Sequence, residues 1–150
     1  MSTDSSSADS RLEHKLRAYY ITALAGVLFA VIGFSYNAWR MEVSEDNSNV
    51  RTAAFAVLTE LAELEQLIYA AHYDQNPVEG NPRRGWVKVG LILDLSGLVS
   101  HSVESQAGQL KESWQRSWNS FAGNQQLTDE LILAIEAVRA QIKLRLVQLQ

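Results

Sequence analysis

The chain is poor in the residues that usually mark chemistry or covalent stabilisation. Its 150 residues include no cysteine, two prolines and three histidines. The missing cysteines exclude disulfides, and they also exclude a lipid-modified cysteine after an apolar stretch. The sequence contains no Gly-rich phosphate loop, nucleophile elbow or nucleotide-binding fingerprint. We therefore predict a protein that is not an enzyme and holds no cofactor.

The three histidines and the acidic residue Asp94 give no strong indication of a site either. His14, His72 and His101 are scattered and match no metal-binding spacing, so we predict no metal site. Asp94 stands among apolar neighbours, but on a helix it fits the solvent side. The weakest reading, a metal-dependent enzyme using Asp94, His72 and His101, stays open at this point. The formal net charge of −4 gives no basic face, which argues against nucleic-acid binding.

One long uncharged run stands out, residues 18–39 between Arg17 and Arg40. Twenty-two residues of helix extend about 33 Å, close to the roughly 30 Å hydrocarbon core of a bilayer. Aromatic residues occupy both ends, where amphipathic rings favour the headgroup level: Tyr19, Tyr20, Tyr36 and Trp39. The run predicts one transmembrane helix, an uncleaved signal-anchor. A buried core helix and a cleaved export signal are the alternatives.

The charges beside this run predict its orientation. Positive charge tends to stay on the cytoplasmic side, and Arg11, Lys15 and Arg17 precede the run. Arg40 and Arg51 follow it, mixed with acidic residues. We predict that residues 1–17 form a disordered, basic, cytoplasmic N-terminus. Residues 41–150 then form an exported domain, periplasmic or otherwise extracytoplasmic, on a single-pass protein of the inner (plasma) membrane.

Apolar periodicity in residues 41–150 is helical throughout. A seam at spacings of three and four precedes the Pro/Gly-rich segment 74–85, and a second seam follows residue 127. The members are Val50, Ala54, Val57, Leu61, Leu64, Ile68 and Ala71, then Leu131, Ile135, Val138, Ile142, Leu146 and Leu149. Glycines and serines weaken the helix between them, with a break expected near residues 100–105. We predict an all-α fold: the transmembrane helix followed by an antiparallel bundle of three helices, or four if the middle one breaks.

Two groups of residues are candidate contact sites. Small residues let helices approach closely in lipid, and a stripe of them lies within the run: Ala23, Gly26, Ala30 and Gly33. An aromatic group at i, i+4 and i+7 is a candidate partner patch, although filling the end of the bundle core is the alternative that we favour: Trp114, Trp118 and Phe121.

These patterns favour a non-enzymatic interaction or accessory subunit that serves a membrane or periplasmic partner. We predict that the protein is integral to the membrane and that it binds a protein partner or forms a homo-oligomer. Placement in a bacterial membrane rests on analogy with small anchored bundles. The alternative is a ligand-sensing bundle that signals through a partner protein, with a small-molecule ligand the sequence does not identify.

Overall fold

The computed structural model describes residues 4–149, and their side chains from 15 to 42 and from 44 to 149. The elements in chain order are α1 (Asp4–His72), α2 (Pro82–Ser96), α3 (His101–Ser117), a 3₁₀ turn (Phe121–Gly123) and α4 (Gln125–Gln148). Residues 4–149 include no strand. The prediction of an all-helical fold is confirmed.

The chain divides into two compact units, with the boundary between Glu45 and Asp46. In the first unit, α1 contains a stretch long and apolar enough to cross a membrane, and none of that stretch is buried. The hydroxyl of Thr22 donates a 2.9 Å hydrogen bond to the Ala18 carbonyl one turn earlier, so this polar group is satisfied within the helix.

Helix α1 also includes residues 4–17, which composition predicts to be disordered. Extending an existing helix needs no new nucleus, so polar residues are added at little cost once the helix has formed. The first three residues of the predicted disordered segment lie outside the described part of the chain.

The second unit is a bundle around one apolar core. The seam of α1 is fully buried from Ala54 to Ile68, and the other helices contribute the facing residues. The largest fully buried side chains include Trp114, Phe121, Leu61, Leu64, Ile68, Ile92, Leu110, Leu131, Ile135 and Ile142. At about 25 cal/mol per Å² of apolar surface removed from water, this core is the main source of stability.

Contacts at both ends show that α1 and α4 run in opposite directions, as do α2 and α3. On α1, Arg51 donates to the Leu149 carbonyl at the end of α4, while His72 contacts Gln125 at its start. The two ends of α2 likewise meet opposite ends of α3: Gly85 lies against Trp114, and Gly97 against Glu104. The C-terminal part of α1 with α2, α3 and α4 therefore forms a four-helix bundle with short connections.

Local chemistry explains where the helices begin and end. Asn81 caps α2 by accepting from the Arg83 amide at 3.0 Å, and Pro82 takes the first helical position, where no amide partner is needed. Ser100 caps α3 and Asn124 caps α4 in the same way. The middle segment breaks at residues 97–100, just before the predicted point, because extended backbone at Ser100 starts a new helix.

The structure corrects one part of the predicted core face. The apolar flanks of the α1 seam predict a wide buried face that includes Phe55, Leu58 and Leu67. Leu67 is buried and Leu58 half-buried, but 60 % of the surface of Phe55 is exposed. Phe55 lies beside the seam residue Ala54 on the side turned towards solvent, so the four-helix core closes without it.

The contact between Gly85 and Trp114 provides a test of core packing. A methyl group at residue 85 would overlap the buried indole ring, so we expect Gly85→Ala to lower the free energy of unfolding by about 1–3 kcal/mol. On the same helix, a methyl group at Gly90 would meet no atom within 4 Å, so Gly90→Ala should stabilise by up to about 1 kcal/mol. Urea unfolding of the detergent-solubilised chain measures both. Equal effects of the two substitutions would contradict this packing.

Candidate interaction surfaces

No described residue of its own unit covers the small-residue stripe of α1. Ala23, Gly26, Ala30 and Gly33 are exposed. A β-carbon on Gly26 or Gly33 would meet nothing within 4 Å. No contact that the structure describes therefore requires glycine at residues 26 and 33. The role of the stripe in helix association stays a prediction.

The aromatic group Trp114, Trp118 and Phe121 does not form an exposed patch. Trp114 and Phe121 are fully buried, with ring centroids 5.4 Å apart, and they fill one end of the bundle core. Trp118 is 37 % exposed and packs edge-on against Trp86 at 6.4 Å. Of the three, only Trp118 offers surface to a partner, since α3 ends at Ser117 and the chain then turns Phe121 inward.

His72, His101 and Asp94 do not come together, and the side chain of His14 lies outside those that the structure describes. Asp94 is exposed near the end of α2, and the side chain of His101 is almost fully exposed, with its Nδ1 3.5 Å from Glu104 Oε2. His72 instead joins the end of α1 to the start of α4: its Nδ1 lies 3.0 Å from the Ala122 carbonyl and its Nε2 2.9 Å from Gln125 Oε1. Among the described residues, no three His, Asp or Glu side chains are grouped as metal ligands.

A cluster of charges joins α1 to α2, and sequence reasoning missed it. Lys88 Nζ lies 3.1 Å from Glu60 Oε2 and also contacts Glu63, with only 13 % of the lysine side chain exposed. The hydrogen bond and charge of Lys88 hold the pKa of Glu63 below its ordinary value. Burial acts to lower the pKa of Lys88, but hydrogen bonds to Glu63 and Glu60 outweigh it, so that pKa is raised.

A second cluster joins α1 to α4. Arg139 lies 2.5 Å from Glu65 of α1 and also contacts Glu136 of its own helix. Glu65 accepts a 2.9 Å hydrogen bond from the hydroxyl of Tyr69, which raises the pKa of that tyrosine. Because the partners are 74 residues apart in sequence, no local spacing rule identifies this pair.

A polar cleft lies beside the first cluster. It has a volume of about 410 Å³ and is lined by Glu63, Gln66, Leu67, Ala70, Glu79, Arg84 and Lys88. Its two cations are paired with carboxylates, Lys88 with Glu63 and Arg84 with Glu79 at 3.5 Å. The charges that line the cleft are thus compensated within the chain, which makes it a poor receptor for a charged ligand.

Helix α4 carries a second apolar stripe, on its solvent face. Leu133, Leu144 and Val147 are 69 %, 58 % and 67 % exposed, and between them Ala140 is exposed and Ala137 half-buried. The sequence contains the signal, because these five residues recur at spacings of four and three. The seam from Leu131 to Leu149 is the stronger apolar pattern on the same helix, so the weaker pattern is easily missed in the sequence. We call these five residues the outer stripe.

Comparison with protein-family models, with curated proteins and with solved structures gives no match to this chain. The fold places it among all-helical proteins with a helical bundle and one helix long and apolar enough to cross a membrane.

The Lys88 cluster makes stability depend on pH. The pKa of Glu63 is lower in the folded chain than its ordinary 4.5, so its contribution is present above that pH and is lost as pH falls through the folded value. Lys88→Met removes the partner. We expect the difference in unfolding free energy between the original protein and Lys88→Met to shrink as pH falls from about 7 to about 3.

Urea titrations at several pH values measure this difference. Arg84→Met is the matched control. It removes the exposed pair with Glu79 and a 3.5 Å contact with the Val78 carbonyl, and Arg84 is the weakest of the causes that lower the pKa of Glu63, so stability should change little at any pH. A difference for Lys88→Met that stays constant over the whole acid range would contradict the assignment.

Proposed function

We propose that this protein is a single-pass membrane protein whose helical bundle acts as a non-enzymatic interaction or accessory subunit. The observation that carries the proposal is the exposure of the apolar run of α1. Its large side chains, such as Ile21, Phe29 and Phe34, are at least 63 % exposed. Water around so large an apolar surface is strongly unfavourable, whereas lipid accepts it.

Two features support lipid as the environment of this run. Backbone groups in a bilayer must be satisfied within the segment, and residues 18–39 are helical without interruption. The aromatic side chains at both ends are exposed, as expected of rings at the headgroup level. Tyr36 and Trp39 also contact each other, with ring centroids 6.3 Å apart.

The bundle does not need this run to complete its core. Its own buried side chains, from Ala53 to Leu149, close around one another, and its charged clusters are paired across helices. A run that is exposed within its own unit is therefore available as an anchor. The flanking charges support a cytoplasmic N-terminus and a bundle on the periplasmic or extracytoplasmic side.

The interaction role is inferred from the exposed surface of the bundle. Its described surface presents apolar residues, including Phe55, Trp118 and the outer stripe, but no grouped metal-binding side chains. Exposed apolar surface on a small helical domain is typical of contact with another protein. In the anchor, the stripe of Ala23, Gly26, Ala30 and Gly33 is the contact surface for a second helix.

The anchor is tested by placing charge in the run. Each arginine near the centre of a spanning helix costs about 2.5–3.5 kcal/mol on insertion scales. We expect Leu24→Arg with Leu28→Arg to release the protein from membranes on alkaline carbonate extraction. The matched control adds two arginines at the same spacing on the solvent face of α3, Ser105→Arg with Gln109→Arg, and should stay in the membrane fraction.

Reporter fusions complete this test. A reporter that is active only outside the cytoplasm should work at the C-terminus and fail at the N-terminus. Activity at the N-terminus would overturn the proposed orientation, and release of the original protein by carbonate would overturn the anchor.

The interaction role is tested by filling the small-residue stripe. Gly26→Leu with Gly33→Leu blocks close helix approach without adding polarity, so any protein co-isolated through the anchor should be lost about tenfold or more. Val27→Leu with Val31→Leu is the control on another face of the same helix. Quantitative mass spectrometry of mild-detergent isolates from native membranes measures the loss. Identical isolates from the original protein and the stripe variant would contradict a contact through this stripe.

A further inference from the structure

The outer stripe of α4 is an apolar surface with a regular helical pattern. The corresponding solvent face of α3 is polar at each comparable residue: Ser102, Ser105, Gln109, Glu112 and Arg116. Both helices belong to the same bundle and both turn one face to the core, so burial within the bundle does not explain the difference. The outer stripe has the spacing of a helix that packs against another helix on its outer side.

The stripe is also self-complementary. Leu133, Ala137, Ala140 and Leu144 read the same in both directions, in residue type and in their spacing of four, three and four. A two-fold axis between Ala137 and Ala140, perpendicular to α4, exchanges each leucine with the other and each alanine with the other. A patch that maps onto itself in this way is what a two-fold interface between identical chains requires.

We infer that the outer stripe binds α4 of a second copy of this chain, in antiparallel orientation. Leu133 packs against Leu144 of the second copy, and Ala137 against its Ala140. The two central alanine layers allow the helix axes to approach closely, since interaxial distance depends on the side chains at the contact. This inference concerns the bundle alone and does not rest on the membrane anchor.

The charges beside the stripe agree with antiparallel packing. In that register, residues that precede the apolar layers face each other across the axis, so Glu136 meets Lys143 of the second copy, and the reverse pair forms by symmetry. Glu136 and Lys143 are both exposed, and Glu136 also contacts Arg139 of its own helix, so Lys143 of the second copy would be a second cation beside that carboxylate. A parallel pair would instead place Lys143 beside Gln148 and bring the two copies of Glu130 together at one layer. The antiparallel register therefore pairs opposite charges where the parallel one does not.

The contact is small. Four apolar layers on one helix bury less than the roughly 1,200 Å² that marks the lower limit of standard stable interfaces. A weak, reversible dimer is therefore expected, and detection calls for covalent trapping. The absence of native cysteine makes the chain well suited to this, because each introduced thiol is the sole one.

Disulfide trapping tests the register. Leu133→Cys and Leu144→Cys are prepared as separate full-length chains with different tags, mixed in detergent and oxidised with copper phenanthroline. Antiparallel packing brings residue 133 of one chain to residue 144 of the other, so the mixed disulfide should form about tenfold faster than either self-disulfide. Identical residues lie about 16 Å apart along the axis in this arrangement.

Ser105→Cys and Arg116→Cys form the matched control, with the same sequence separation on the polar face of α3. Their rate measures random collision. A mixed disulfide on α4 no faster than this control would overturn the dimer, and faster self-disulfides than mixed disulfides would overturn the antiparallel register.

Charge exchange provides an independent readout. Lys143→Glu should slow mixed trapping about tenfold, because two acidic residues then face each other. Adding Glu136→Lys to the same chain should restore the rate, while Arg83→Glu on α2 should leave it unchanged. Thermal unfolding of each variant confirms that the bundle is intact. An unchanged rate for folded Lys143→Glu would overturn the predicted ion pairs and the register with them.

Discussion

The bundle depends on one interaction, the burial of the α1 seam between Ala54 and Ile68. These side chains are fully removed from water, and they face residues from the helices that follow. Since apolar burial is the dominant favourable contribution to folding, the seam sets which face of α1 turns inward. Every other helix is then placed by the need to cover that face, with short connections that keep neighbours antiparallel.

Charged residues at the edges of the core specify which helix packs on each side of α1. Lys88 joins α2 to Glu60 and Glu63, while Arg139 joins α4 to Glu65 on the same helix. The apolar core alone is tolerant of rotation and exchange between helices, whereas a half-buried cation needs its own carboxylate. The two clusters thus lie on opposite sides of the seam and mark which helix packs on each side.

Part of the fold was predictable from particular residues. The seam spacing and the Pro/Gly-rich segment indicated helices and a connection that the structure contains, because these signals act within a few residues of sequence. Phe55 and the aromatic group show where local pattern fails. The period of a helix identifies an apolar side chain near the core, but not whether a neighbouring helix reaches it, so Phe55 is exposed while Trp114 and Phe121 are buried.

The amino-acid sequence by itself determined that the chain is helical, where most of its helices end, and that one run is unusually apolar for contact with water, since these follow from local periodicity and composition. Tertiary structure decided which residues became surface. Trp118 rather than Trp114 faces outward, Lys88 meets Glu60 across 28 residues, and α4 is left with a second apolar stripe once its first is buried. The physical reason is that burial and ion pairing join residues distant in sequence, so they exist only after the helices have packed.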